Sequence, residues 1–207
     1  MCKRTIWLGI FTSTFLVACT TQGDVAKQLP ITTSPLESSL LSQEAELSVF
    51  VPAGATLRLS ARGDIDADGD EDALVVYAPA SATDDTPRTL LLLLRGVGGA
   101  LRKSVENPDA ILCRKCGGMM GDPLQQIRVG LGEFTLRFEG GSRELWSSEF
   151  RFEYAQDRGI WKLAEIAFTS LDRIDGTSAE KQQGPADFGD VTFAEFDAAS
   201  FSADALP

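Results

Sequence analysis

The acidic run from Asp64 to Asp72 has the residue types and spacing to bind a metal ion. Six of its nine residues are acidic, and carboxylates this close together repel one another unless a cation lies among them. Carboxylates at alternate positions followed by Gly69 match a tight loop that wraps oxygen ligands around Ca²⁺. We therefore predict a structural Ca²⁺ site whose ligands are, in chain order, Asp64, Asp66, Asp68, the backbone carbonyl of Asp70, and Asp72 directly or through water.

The spacing is similar to the first three quarters of an EF-hand calcium loop, with Val75 where the bidentate Glu would stand. An apolar strand, Ala73 to Tyr77, follows at once, and a loop that runs straight into a strand resembles the calcium loops of FG-GAP and related extracellular β repeats. The resemblance implies a weak stabilising site, with a Kd of about 10⁻⁴ to 10⁻³ M. Because only one copy is present, it does not imply a propeller or an integrin-type function. A solvated acidic turn without a metal is the alternative.

Cys113 and Cys116 form a C-x-x-C pair followed by Gly117-Gly118-Met119-Met120. Outside the cytoplasm such a pair is expected to form a disulfide that shapes a glycine-rich loop. One alternative is a thiol-disulfide oxidoreductase, in which Arg114 and Lys115 would lower a thiol pKa. Another is a soft-metal site for Cu(I) that uses both thiolates and a methionine.

Cys19 indicates the compartment. It follows Leu16-Val17-Ala18 at the end of a short apolar segment that Lys3 and Arg4 precede, and a basic start, an apolar stretch and a small residue describe an export signal. A cysteine directly after the cut resembles the lipobox of bacterial lipoproteins, which implies lipidation of Cys19. Thr20 is not the Asp that retains enteric lipoproteins in the inner membrane, so the family rule implies the outer membrane, facing the periplasm.

Composition excludes several classes of function. The chain has no histidine, which removes Ser-His-Asp and Cys-His catalytic pairs and all His-ligated metal sites. It has 30 Asp and Glu against 19 Lys and Arg, a net charge of -11 at pH 7, which argues against binding nucleic acid through phosphates. No catalytic constellation emerges, and we expect a non-enzymatic protein.

Alternating apolar and polar residues predict a mainly β fold, a single antiparallel meander or sandwich. The alternation is clearest at Phe134 to Phe138, Phe150 to Tyr154 and Trp161 to Leu163. The expected organisation is a signal peptide over residues 1–18, a lipid-anchored flexible tether over 19–46, a β-rich domain over 47–175 and a polar segment over 176–207. A short helix over Leu36 to Leu47, and a late strand or docking segment near Val191 to Phe196, are further expectations.

The stretch from the C-x-x-C pair through Trp146 to the strand Phe150-Arg151-Phe152-Glu153-Tyr154 resembles uncharacterised bacterial lipoproteins. The resemblance extends over most of residues 60–170 and implies a small envelope protein without a known activity. The expected function is that of an accessory or interaction protein, stabilised by calcium and held at the membrane by Cys19, with an envelope protein as a candidate partner. The alternative is thiol-disulfide or copper handling through Cys113 and Cys116.

Overall fold

The computed structural model describes residues 35–201, with side chains from residue 42 onward. The predicted signal peptide, Cys19 and the predicted tether as far as residue 34 lie outside the described residues. Two antiparallel meanders pack face to face, so the predicted mainly β, sandwich-like fold is confirmed. Sheet A contains β1 (Thr56–Gly63), β2 (Asp72–Ala78), β3 (Arg88–Arg95) and β4 (Leu101–Ile111) in that order. Sheet B contains β5 (Leu124–Gly130), β6 (Glu133–Gly141), β7 (Glu144–Ala155), β8 (Ile160–Asp172) and β9 (Ser178–Gln183).

Sheet A is covered on both faces, which explains why β2 and β3 are continuous apolar runs. One face, with Leu74 and Leu92, packs on sheet B, while the other, with Val75 and Leu91, packs on residues 47–57. A strand buried on both faces gains from apolar residues at every position. Every residue of β2 is buried.

Sheet B has one buried face, and its strands alternate accordingly. Phe134 and Phe152 stack with ring centroids 4.9 Å apart, and both meet Phe193 edge-on at 5.5 Å. The opposite face carries charged side chains, including Arg137 and Arg151, in cross-strand ion pairs. The alternation in the sequence therefore reports the one-sided burial of this sheet.

Helix α1 (Pro35–Ser48) occupies the end of the segment predicted as a tether, and it matches the short helix expected there. Leu47 is buried against sheet A. Glu46 accepts hydrogen bonds from Arg62 at 3.0 Å and Arg95 at 2.9 Å. These contacts with distant residues hold the end of the helix against sheet A, so residues 35–46 are helical and not part of the flexible tether expected over 19–46. No helix within residues 35–201 is long and apolar enough to span a bilayer.

The C-terminal part closes one side of the sandwich. Of the two alternatives for Val191 to Phe196, the docking segment is the one observed, with a 3₁₀ turn at Phe193–Glu195. The strand β9 (Ser178–Gln183) was not predicted and lies in the segment expected to be merely polar, so the β domain extends beyond its expected end at residue 175. Asn107 in β4 is buried, and its Nδ2 donates hydrogen bonds to the carbonyls of Phe193 and Phe196, both at 2.6 Å. A short helix, α2 (Pro185–Phe188), connects β9 to this docked segment. The apolar pattern at residues 191–196 therefore reflects the packing of Phe193 and Phe196 into the core between the two sheets.

Candidate functional site

The acidic run forms the loop between β1 and β2, and its backbone is bonded to sheet B. Gly132 donates a backbone hydrogen bond to the Asp64 carbonyl at 2.9 Å. The indole Nε1 of Trp161 donates to the Ile65 carbonyl, also at 2.9 Å. Ile65 itself is fully buried. The loop therefore joins the two sheets at one end of the sandwich.

Positive backbone φ angles give the loop its sharp curvature. Ala67 has a φ of 60° and Gly69 a φ of 96°, and both values lie in the left-handed region that favours glycine. The carboxylate of Asp64 accepts hydrogen bonds from the amides of Asp68 at 3.1 Å and Gly69 at 3.0 Å. The backbone thus turns around the Asp64 side chain, as the position of Gly69 predicts.

Three of the five predicted ligand residues come together. Carboxylate oxygens of Asp64, Asp66 and Asp72 lie within 4.8 Å of one another. The Asp68 and Asp70 side chains are outside that group, although Asp68 borders it through the hydrogen bond from its amide to Asp66 at 3.3 Å. Three hard oxygen donors suit a hard divalent cation such as Ca²⁺.

Asp72 is the buried member of the group. Its two oxygens accept hydrogen bonds from the amides of Ile65 at 3.0 Å and Arg95 at 2.8 Å. Burial raises the pKa of the Asp72 carboxyl to about 6, against the favourable hydrogen bonds, and the nearby Asp66 and Asp68 charges add to the rise. Burial and the Asp68 charge likewise raise the pKa of Asp66. A cation at this position would lower both pKa values and relieve the repulsion.

The second predicted site lies at the other end of the sandwich. Cys113 and Cys116 have their sulfur atoms at bonding distance and their Cα atoms 5.1 Å apart. Cys113 is buried, and Cys116 is exposed. The residues after Cys116 form turns up to Gly121. Arg114 and Lys115 form ion pairs with Asp84 and Asp85 respectively.

An ion pair between a buried arginine and an exposed aspartate, which the sequence did not reveal, closes the base of this loop. Arg88 in β3 donates to both oxygens of Asp122, at 2.7 and 2.8 Å, and also to the Leu112 carbonyl. Its side chain is only 4% exposed. The one signal available in the sequence was an arginine beside the run of five leucines in β3. Arg88 thus holds both ends of residues 113–121, which we call the cystine loop.

A groove of about 360 Å³ lies beside the cystine loop. Its apolar wall contains Met120, Leu145, Trp146 and Leu171, and Met120 comes from the cystine loop itself. Hydroxyl and charged groups, among them Thr169 and Glu180, complete the lining. Trp146 is half-buried, whereas Trp161 is 2% exposed. The sequence alone gave no indication of this groove.

Comparison with known proteins adds no relative: no family model matches the chain, and neither a curated protein nor a solved structure does.

Proposed function

We propose that this chain is a lipid-anchored, non-enzymatic accessory protein of the bacterial envelope, whose β domain is stabilised by Ca²⁺ and contacts a protein partner. The convergence of Asp64, Asp66 and Asp72 at the contact between the two sheets carries the calcium part. The loop that would bind the cation already accepts hydrogen bonds from Gly132, in the turn between β5 and β6, and from Trp161 in β8. A cation bound there would hold the loop in this docked conformation. Because the cation binds the folded state and not the unfolded chain, it increases the free energy of unfolding.

Calcium titration tests this site. We expect the thermal midpoint of the full chain to rise in millimolar Ca²⁺ and to fall in chelator. At tenfold excess over Kd, binding contributes about 1.4 kcal/mol to the free energy of unfolding. Asp66→Asn removes one converging carboxylate and should abolish the shift. Asp70→Asn is the matched control, because its carboxylate lies outside the group and its predicted ligand is the backbone carbonyl.

Two results contradict the calcium proposal. One is a midpoint that responds neither to Ca²⁺ nor to chelator. The other is an equal loss of response in Asp66→Asn and Asp70→Asn, which would indicate a diffuse effect of charge instead of a site.

The anchor rests on the sequence around Cys19, which precedes the described domain. Labelled palmitate should be incorporated into the wild-type chain and not into Cys19→Ser, and membrane fractionation should place the wild type with the outer membrane. Cys2→Ser is the control, because Cys2 lies inside the predicted signal peptide. Incorporation into Cys19→Ser would contradict lipidation at this residue.

The groove supports the part of the proposal that concerns an interaction. A half-buried tryptophan beside Met120 and the exposed Leu171 offers the mixed apolar and polar lining common at contact surfaces. Cross-linking from a photoreactive residue at position 171 in cells should capture one envelope protein reproducibly. The same residue placed at exposed position 58, on sheet A, is the control. Equal labelling from both positions would contradict a specific contact.

Thiol-disulfide or soft-metal handling is a second candidate, favoured by the exposure of Cys116 in the loop whose Met120 lines the groove. Redox activity predicts rapid equilibration of the pair with glutathione and turnover of a disulfide substrate. Copper handling predicts that the reduced chain competes with a chromogenic chelator for Cu(I) and that Met120→Leu competes less well. Failure of all these assays would remove the candidate.

A further inference from the structure

The disulfide closes the start of the cystine loop, and Arg88 closes its base. The tip of the loop, residues 117–121, lines part of the groove. The disulfide closes a four-residue turn in which the Cys116 amide donates to the Cys113 carbonyl at 3.2 Å. Arg88 holds Leu112 and Asp122 independently of that bond. The tip between these two restraints carries Met120 into the wall of the groove.

Backbone contacts join the tip to the edge of sheet B. The Gly141 amide donates to the Gly117 carbonyl at 3.0 Å, and Gly118 forms a bridge with Gly141. A Cβ at Gly140 would overlap the ring of Trp146 and crowd the Gly117 backbone. The tip therefore contacts Gly140, the strand residue against which Trp146 packs. A displacement of the tip would change the position of Trp146 in the groove.

We propose that the Cys113–Cys116 disulfide is a redox latch, whose reduction releases the tip of the cystine loop and reshapes the groove while the sandwich stays folded. The loop is here the target of thiol exchange instead of its catalyst, so the proposal does not depend on the calcium site or on the redox candidate above. Arg88 keeps the base closed in both redox states.

Cys116 is exposed and Cys113 is buried, and this difference sets the course of the reaction. The thiolate of an external dithiol attacks the sulfur of Cys116, the Cys113–Cys116 bond breaks, and Cys113 leaves as a thiolate that takes a proton from solvent. The second thiol of the reductant then attacks the reductant's first sulfur, which is bonded to Cys116 in the mixed disulfide, and releases Cys116 as a thiol. The reductant becomes a disulfide, and its two electrons reside on the two cysteine thiols.

Hydrogen exchange on the full chain, with and without dithiothreitol, tests the latch. Reducing the disulfide opens a ring of four residues and so increases the chain entropy of the locally opened loop. By the chain-entropy relation, the opening equilibrium of the loop increases by about twentyfold. We expect exchange to increase by about twentyfold at residues 117–121 and 140–141, with β2 and β3 unchanged. Thiol alkylation followed by mass measurement reports the redox state in each sample.

A double variant, Cys113→Ser with Cys116→Ser, keeps the test decisive. It should exchange like the reduced wild type and should not respond to dithiothreitol. Equal exchange in the oxidised and reduced wild type would overturn the proposal. An increase in exchange throughout β2 and β3 on reduction would also overturn it, because the disulfide would then hold the whole fold instead of one loop.

Discussion

Arg88 and Asp122 form a two-pronged ion pair that ties sheet A to the segment crossing to sheet B, with N to O distances of 2.7 and 2.8 Å. The same guanidinium binds the Leu112 carbonyl. A planar fork of donors suits this arrangement, and a lysine could not reproduce it. One side chain therefore fixes both ends of the cystine loop.

Breaking this pair should destabilise the whole domain. Asp122→Asn removes the counter-charge of the buried Arg88 guanidinium. Because the Asp122 carboxylate is 40% exposed, we expect the free energy of unfolding in urea to fall by about 1–2 kcal/mol. Arg128→Gln is the control, because Arg128 pairs with Glu149 on the exposed face of sheet B and should cost less than about 0.5 kcal/mol. Similar losses in both variants would contradict a special role for Arg88.

The hydrogen bond from Trp161 to Ile65 should couple sheet B to the acidic loop. Trp161→Phe keeps an aromatic ring beside Tyr154 but leaves the buried Ile65 carbonyl without its donor, at a cost of about 1–2 kcal/mol. It should also weaken the Ca²⁺ response in calorimetry. Trp146→Phe is the control, because Trp146 lies near the start of β7, whereas Trp161 lies opposite Tyr154 near the end of that strand. An unchanged calcium affinity in Trp161→Phe would show that the hydrogen bond does not shape the site.

The raised pKa of Asp72 predicts an unusual pH dependence in chelator. Because burial lifts the pKa to about 6 in the folded protein, the folded state binds this proton more tightly than the unfolded chain does. The contribution of Asp72 to stability therefore increases as the pH falls from 7 to 5, by about 1 kcal/mol.

Asp72→Asn isolates that contribution, and the measurement is the difference in slope between the two unfolding profiles. The variant should lack the increase, and saturating Ca²⁺ should suppress it in the wild type, because a cation favours the charged carboxylate. Parallel profiles for wild type and variant would show that Asp72 titrates near its ordinary value.

Asn107 should control the docking of the C-terminal segment. Asn107→Ala leaves the carbonyls of Phe193 and Phe196 without donors, and we expect a loss of about 2–4 kcal/mol. Hydrogen exchange at residues 191–198 should increase more than in β6. Asn107→Asp, which keeps the shape but sets a carboxylate against two carbonyls, should be at least as damaging. A variant with normal exchange at residues 191–198 would contradict this role.

Local patterns predicted strands such as β2, β6, β7 and β8, but they did not identify β4, β5 or β9, and they did not predict which residues the elements contact. The alternation at Phe134 to Phe138 identified β6, and the glycine at position 69 identified the turn of the acidic loop. The docked 3₁₀ turn at Phe193–Glu195 was ambiguous, because its apolar residues face the core without forming a sheet. The charge of Arg88 in an apolar strand could be interpreted only once Asp122, 34 residues away, was seen beside it.

The sequence by itself determined the mainly β fold, the acidic loop and the cysteine pair, because these follow from residue order over a few positions. Tertiary structure decided which carboxylates converge, since Asp72 approaches Asp64 through the pairing of β1 with β2, in which Gly63 lies opposite Asp72. It also decided that Arg88 closes the cystine loop and that Met120 reaches the groove. Those relationships depend on how two sheets pack, and packing brings together side chains that no local spacing relates.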